Sequence, residues 1–235
     1  MLRCRLIAEL ATNHGGDLAL ALDMIAKAAD AGADIVKTQG YQIKNLPPTD
    51  PQYAWFAQSE LSNAAHETLM HACETHGVQY LSTAYTASDL TRLAQLGQRA
   101  VKIGSGEGPH ESFVRAACAT MDAVYVSVPW GQCPYAFTDD RITWLSAVPL
   151  YPAPVETYAR VLPQPGYSDH HVGIDIARLA IARGATVLEK HFHLVGRGRN
   201  QVWNMTAVDL MILRAWAETC QTALSGTRFD ARWRP

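Results

Sequence analysis

The chain reads as a single-domain (β/α)8 barrel, and three observations predict it. Short apolar runs alternate with helical patterns along the 235 residues, which implies parallel strands joined by right-handed crossovers. The first strand–helix turn, Thr12-Asn13-His14-Gly15-Gly16, lacks the GxGxxG spacing that an open, doubly wound dinucleotide-binding sheet wants there. No low-complexity linker or internal repeat divides the chain, so residues 1–235 are expected to form one domain, within the usual size of α/β barrels.

The elements follow in order. Leu6–Ala11 is the first strand, and Leu18–Ala31 has apolar residues at helical spacing until Gly32 stops it. Asp34–Gln39 is the second strand. A long loop from Gly40 to about Gln58 carries Pro47, Pro48 and Pro51, and helix signals resume over Glu60–His76. Val78–Thr83 and Ala100–Gly104 are strands, separated by a helix over Ser88–Leu96 that Gly97 closes. Glu111–Thr120 is a helix and Ala123–Val128 a strand. Pro129–Asp140 is too rich in Pro and Gly for a full helix. Thr143–Leu150 is the sixth strand, Pro154–Val161 a short helix at best, and Gly166–Ser168 a weak seventh strand. Val172–Arg183 is a helix, Thr186–Phe192 a strong strand, and Ala207–Leu224 the last helix.

Composition removes several classes of function. Hydrophobic residues make up 48% and charged residues 18%, as in a folded globule. The net charge of −2 gives no bulk attraction to nucleic acid, and Arg228, Arg232 and Arg234 make only a short basic tail. No apolar run approaches the ~20 residues of a membrane span. The start of the chain puts charge where a signal peptide has its apolar region, so a cytoplasmic location is expected. Five cysteines (Cys4, Cys73, Cys118, Cys133, Cys220) without a CxxC pair read as reduced thiols. The aromatic segments around Tyr53, Trp55 and Phe56 and around Phe229 and Trp233 suit a homodimer interface or a barrel cap.

A barrel does its chemistry at the C-terminal ends of its strands, and there the polar residues gather. Lys37 and Lys102 end apolar strands, with Ser82, Thr83, Ser105, Ser127 and Ser168 at neighbouring strand ends. Two ammonium groups with hydroxyl donors suit a phosphate plus a carboxylate, although each Ser or Thr alone reads as a helix cap. His170 and His191 end adjacent strands, where two imidazoles suit a divalent metal. Alternation turns His171 and His193 the other way. Asp169 and Glu189 read as orienters of imidazole or as ion-pair partners of residues such as Lys190.

Several segments then combine. They are Ile7-Ala8-Glu9 with Asn13-His14-x-Gly16-Asp17-Leu18, Ala31-Gly32-Ala33-Asp34-Ile35-Val36-Lys37-x-Gln39, and Lys102-Ile103-Gly104-Ser105-Gly106-Glu107. Tyr151-Pro152, Gly166-Tyr167-Ser168-Asp169-His170 and Gly184-Ala185-x-x-x-Glu189-Lys190-His191-Phe192 follow in the same order. Together they resemble the sialic acid synthase (N-acetylneuraminate synthase) family. The resemblance implies a (β/α)8 barrel that condenses phosphoenolpyruvate with an aldose such as N-acetylmannosamine, giving a nonulosonic acid plus phosphate. It implies a divalent metal on His170 and His191, manganese first, with magnesium, cobalt or zinc as alternatives. Its phosphoenolpyruvate contacts match Lys37, Thr83, Lys102, Ser105, Ser127 and Ser168, and its sugar contacts match Glu9, Gln39, Glu107 and Tyr151. Glu107 or Glu189 would stabilise the developing cation or take a proton.

The chain departs from that family at four places. It stops at Pro235, so the family's small antifreeze-like C-terminal domain, with its sugar-binding arginine, is expected to be missing. Pro149 stands where an asparagine is usual, Gly198-Arg199-Asn200 replaces a Gly-Pro-Asp sugar loop, and Pro129–Asp140 is shorter than the usual fifth helix. The donor half is therefore expected to be retained and the acceptor half rebuilt, with Asn200 in the sugar loop and Arg197 or Arg199 as a replacement cation or a solvated basic loop. A different aldol or lyase reaction, or a silent barrel that binds a phosphorylated metabolite or partner protein, stays open.

Overall fold

The computed structural model describes residues 3–225 and is a closed barrel of eight parallel strands in chain order. The strands are β1 (Arg5–Ala11), β2 (Ile35–Gln39), β3 (Gln79–Ala84), β4 (Ala100–Ile103), β5 (Ala123–Pro129), β6 (Ile142–Ala147), β7 (Gly166–Asp169) and β8 (Val187–His191). β1 pairs with both β2 and β8, which closes the ring. The helices are α1 (Leu18–Asp30), α2 (Tyr53–Ser59), α3 (Asn63–Thr75), α4 (Ala87–Gln95), α5 (Glu111–Thr120), α6 (Asp175–Ala182) and α7 (Ala207–Ser225). The tail residues Arg228, Phe229, Arg232, Trp233 and Arg234 lie outside the described residues. No helix among the described residues is long and apolar enough to cross a membrane.

Local chemistry sets the helix ends. The Asp17 carboxylate accepts from the Leu20 amide at 3.0 Å and starts α1, which buries Leu20, Met24, Ile25 and Ala28 against the barrel. Thr86 and Asp89 form a reciprocal capping box at α4. Four expectations shift for reasons of the same local kind. The predicted loop from 40 to 58 contains α2, and Ser62, capping Ala65, starts α3 three residues later than Glu60. Gly173 delays α6 to Asp175. β6 ends at Ala147, three residues early, because Pro149 has no amide to donate and the chain turns away there. The 129–140 segment holds no helix, as its composition predicts, and residues Val155–Arg160 form a 3-10 turn.

Inward-facing residues stack in three layers. At the bottom, the Arg5 guanidinium donates to Tyr125 and Gln79, each at 2.7 Å. The middle layer is apolar, with Ile7, Ile35, Leu81, Leu145 and Val187 packed together. Each such side chain contributes ~1.5–3 kcal/mol by leaving water. The top layer is polar: Glu9, Lys37, Thr83, Lys102, Ser127, Ser168 and Glu189 are all under 7% exposed. The apolar plug thus holds a charged floor above it in low dielectric, at the end of the barrel where the strands terminate.

Candidate active site

The top layer floors a cavity of about 480 Å³. Lys37 donates to Thr83 Oγ1 at 2.8 Å and pairs with Glu9 at 2.5 Å. Lys102 donates to Ser127 Oγ and to the Ile103 carbonyl, at 2.8 and 3.0 Å. Glu189 sits between the two ammonium groups, 3.9 Å from Lys37 and 3.7 Å from Lys102, and accepts from Ser168 at 2.8 Å. The two lysines hold its carboxyl down at about 2 against the opposing cost of burial. Burial raises Glu9 to about 7, with Lys37 pulling the other way. Burial likewise lowers Lys102. Glu9 Oε1 and Glu189 Oε2 have no hydrogen-bond donor in the protein, so the floor keeps acceptor capacity for a ligand's protons.

His170 and His191 face each other with ring centroids 5.8 Å apart. His170 Nδ1 donates to the Val148 carbonyl at 2.7 Å, and burial lowers the ring to about 4. It is therefore neutral at pH 7, with Nε2 left as its lone pair. Burial, then the His170 ring and the Lys37 charge, hold His191 well below the ordinary histidine range. Two neutral imidazoles at this separation are a donor set suited to a divalent cation of borderline softness. Among the described residues no group of three His, Cys, Asp or Glu side chains is placed to hold a metal ion, so the positions beyond the two imidazoles would fall to water and substrate oxygens, an open site.

Alternation separates these groups from their sequence neighbours. Asp169, His171 and Lys190 lie on the outer side of β7 and β8, all 1% exposed or less. Lys190 donates to Asp169 and to the His171 carbonyl, both at 2.7 Å, and Asp169 contacts His171 Nδ1 at 2.7 Å. Asp169 thus orients His171 and neutralises Lys190 behind the wall, and does not orient His170. Glu189 pairs with the lysines of the floor.

The loops after the strands build a rim. A bulge at the end of β1 puts Ala11 at φ +48 and turns the chain into Thr12 and Asn13, which line the cavity. The loop after β8 leaves and returns at a pinned neck, where Met205 N donates to the His191 carbonyl (2.7 Å) and His193 N donates to the Met205 carbonyl (3.1 Å). Gly198, at φ +66, passes so close to β1's loop that a Cβ there would lie 2.2 Å from the Asn13 carbonyl. The next amide, Arg199 N, donates to that carbonyl at 2.8 Å. Trp203 and the half-exposed Tyr151 close the aromatic side. The Tyr151 ring lies 4.0 Å from His170, 6.0 Å from His191 and 5.6 Å from Trp203, centroid to centroid.

Of the sequence-predicted residues, Glu9, Lys37, Gln39, Thr83, Lys102, Ser105, Ser127, Tyr151, Ser168, His170, Glu189 and His191 line this one cavity. Two do not. Glu107 folds back over Gly104, outside the lining, where burial raises its carboxyl. Asn200 is exposed, and its neighbours Arg199 and Gln201 face the cavity instead. Arg197 pairs with Asp23 away from the cavity. Gln52, Phe56, Tyr85, Gln201 and Trp203 line the cavity unpredicted. The amide and aromatic density just after β8 was a usable signal for Gln201 and Trp203. Gln52 sits in a proline-rich stretch with no local cue, and Phe56 belongs to the aromatic segment already singled out there. Trp55 donates to Thr12 at 3.0 Å and Phe56 lines the cavity, so these two aromatics of the segment border the rim.

Comparison with known proteins agrees with this architecture. The chain is 30% identical to an N,N'-diacetyllegionaminic acid synthase of Legionella pneumophila, over 80% of this chain and 64% of that protein. It is 26% identical to a pseudaminic acid synthase of Campylobacter jejuni, over 80% of this chain and 65% of that protein. It thus spans just under two thirds of the length of these relatives. A crystal structure of an N-acetylneuraminic acid (sialic acid) synthetase from Leptospira borgpetersenii superposes with a TM-score of 0.83 at 24% identity, covering 98% of this chain and 88% of that one, a likeness of fold. A family model described as NeuB family matches residues 24–227, and the chain belongs to that family.

Proposed function

We propose that this chain condenses phosphoenolpyruvate with an aldehyde-bearing sugar, giving a 2-keto-3-deoxy acid of the nonulosonic type plus inorganic phosphate. The observation that carries the reading is one buried floor holding two ammonium groups, two carboxylates and three hydroxyls beside two neutral imidazoles. Lys37 and Lys102, with Thr83, Ser105, Ser127 and Ser168, neutralise and orient the donor's phosphate and carboxylate. His170 and His191 would hold a divalent cation, manganese first, then magnesium, cobalt or zinc, which polarises the acceptor aldehyde when bound.

The enol methylene forms a C–C bond to the aldehyde carbon, and the aldehyde oxygen takes a proton. Positive charge develops at the phosphate-bearing carbon, where Glu189, ionised and hydrogen-bonded to Ser168, stabilises it. Water adds there and gives up a proton; the bond from that carbon to the bridging phosphate oxygen then breaks, phosphate leaves, and the new hydroxyl loses its proton to become the keto oxygen. Glu9, poised near neutrality, exchanges the protons of these steps. Gln39 and Tyr151 contact the acceptor.

The relatives carry different products in their names, legionaminic and pseudaminic acids, which supports a reading in which the donor half is common and the acceptor half varies. The test is phosphate release from phosphoenolpyruvate with Mn²⁺ and a panel of aldehydes that includes N-acetylmannosamine. Release is expected, at least ~10³-fold lower in His170→Ala and His191→Ala, with an acceptor other than N-acetylmannosamine preferred. Tight donor binding without release over the whole panel would leave a silent binding barrel and end the proposal.

A further inference from the structure

Arg199 carries a charge that the protein does not answer. Its guanidinium lines the mouth of the cavity, and among the described residues no carboxylate lies within ion-pair distance of it. The neighbouring Arg197, by contrast, pairs with Asp23. Neutral groups hold Arg199 in place. Both terminal nitrogens reach Gln52 Oε1 at 3.2 Å, and the guanidinium carbon lies 5.0 Å from the Trp55 ring centroid. Gln201, with its amide oxygen turned to the guanidinium, accepts from Nε at 2.7 Å and from Nη2 at 3.1 Å. The backbone beneath is fixed by Gly198 and by the bond from Arg199 N to Asn13.

Amides and an indole orient a guanidinium without neutralising it, which leaves a planar fork with its full charge over the cavity. The fork stands on the loop that contributes Gln201 and Trp203 and apart from the two lysines of the floor. Arg199 also borders a second depression outside the rim, lined by His14, Asp17, Trp55 and Gln58, so a substrate extending out of the cavity passes the guanidinium.

Building on the condensation proposed above, we infer that Arg199 is the acceptor-specificity residue and that the acceptor carries an anionic oxygen group, a phosphate or a carboxylate, at the end away from its aldehyde. The guanidinium keeps its charge and an uncommitted N–H, and a charge-assisted hydrogen bond favours such a group over a hydroxyl. A site built to pair a buried or half-buried charge also discriminates against the analogue that lacks the partner.

The experiment is calorimetric titration of the full chain with an aldohexose, its 6-phosphate and the corresponding hexuronic acid, with and without saturating phosphoenolpyruvate. Phosphate release is followed in parallel. One or both anionic sugars should bind at least ~10-fold more tightly than the neutral sugar, with the donor present. Whichever arm wins names the group. Arg199→Gln should bring the three within ~2-fold, and Arg199→Lys should keep part of the preference, since it keeps the charge and loses the fork.

Equal binding of all three sugars overturns the inference. So does a preference that survives Arg199→Gln, or one that phosphoenolpyruvate abolishes, because the anion is then held by the lysines below. The two readings separate cleanly. Phosphate release without anion preference removes the role of Arg199 and leaves the condensation. Arg199-dependent anion binding with no release on any acceptor does the reverse.

Discussion

The floor of the cavity and its rim are built from the same chain by different means. Floor residues stand on strand ends, are nearly fully buried, and take their partners from neighbouring strands: Lys37 from β1 and β3, Lys102 from β5 and β8. Rim residues stand on loops, are half-buried or exposed, and bond to one another through amides and ring faces. Strand register fixes the floor, so its charges cannot relax independently. The rim has no register, and each contact depends on where a loop happens to pass.

The largest expected effect lies in the floor. Lys102→Met removes one of two buried cations, leaves Glu189 with Lys37 alone and deprives Ser127 of its donor. It should lower kcat/KM by at least ~10³-fold with every acceptor. If the loss depended on which acceptor was supplied, floor and rim would not be separable.

A titration of the floor comes next. Burial raises Glu9 to about 7, so the folded protein binds a proton that the unfolded chain releases near 4.5. That contribution is complete below about pH 4.5 and is lost as pH rises through 7. The unfolding free energy of wild type relative to Glu9→Gln should therefore fall by about 3 kcal/mol across that window. Denaturant melts at pH 5 and pH 7.5 measure it, and a pH-independent difference would mean that Lys37, not burial, governs the carboxyl.

The smallest effect belongs to the rim. In Gly198→Ala, a Cβ 2.2 Å from the Asn13 carbonyl at φ +66 forces the loop away and costs ~1–3 kcal/mol. The acceptor KM should rise about tenfold while that of phosphoenolpyruvate stays put, since the floor does not rest on this loop. Equal shifts in both constants would merge the two regions.

The same division governs what the sequence discloses. Strand-end residues obey a period of two, so Lys37, Lys102, Glu189 and the histidine pair are found by counting along short apolar runs, and Lys190 and His171 fall behind the wall by the same count. The (β/α)8 order is equally legible, because each strand and helix carries its own periodicity. Residues placed by non-local loop paths are not. Gln52 reaches the cavity only because α2 folds back over the rim, which no local pattern announces. Asn200 is exposed and Arg199 faces in because the bond from Arg199 N to Asn13 fixes which residue of the loop turns inward, and that bond spans the whole chain. Tyr151, expected at a strand end, reaches the site from a turn four residues past β6, where two prolines redirect the chain.

The neck at His191, His193 and Met205 has a consequence for how the mouth of the barrel is held. Because the two hydrogen bonds there hold the chain's departure and return together, Arg199, Gln201 and Trp203 all reach the cavity from one closed loop whose two ends are tied to the barrel at a single point and whose middle is tied to Asn13.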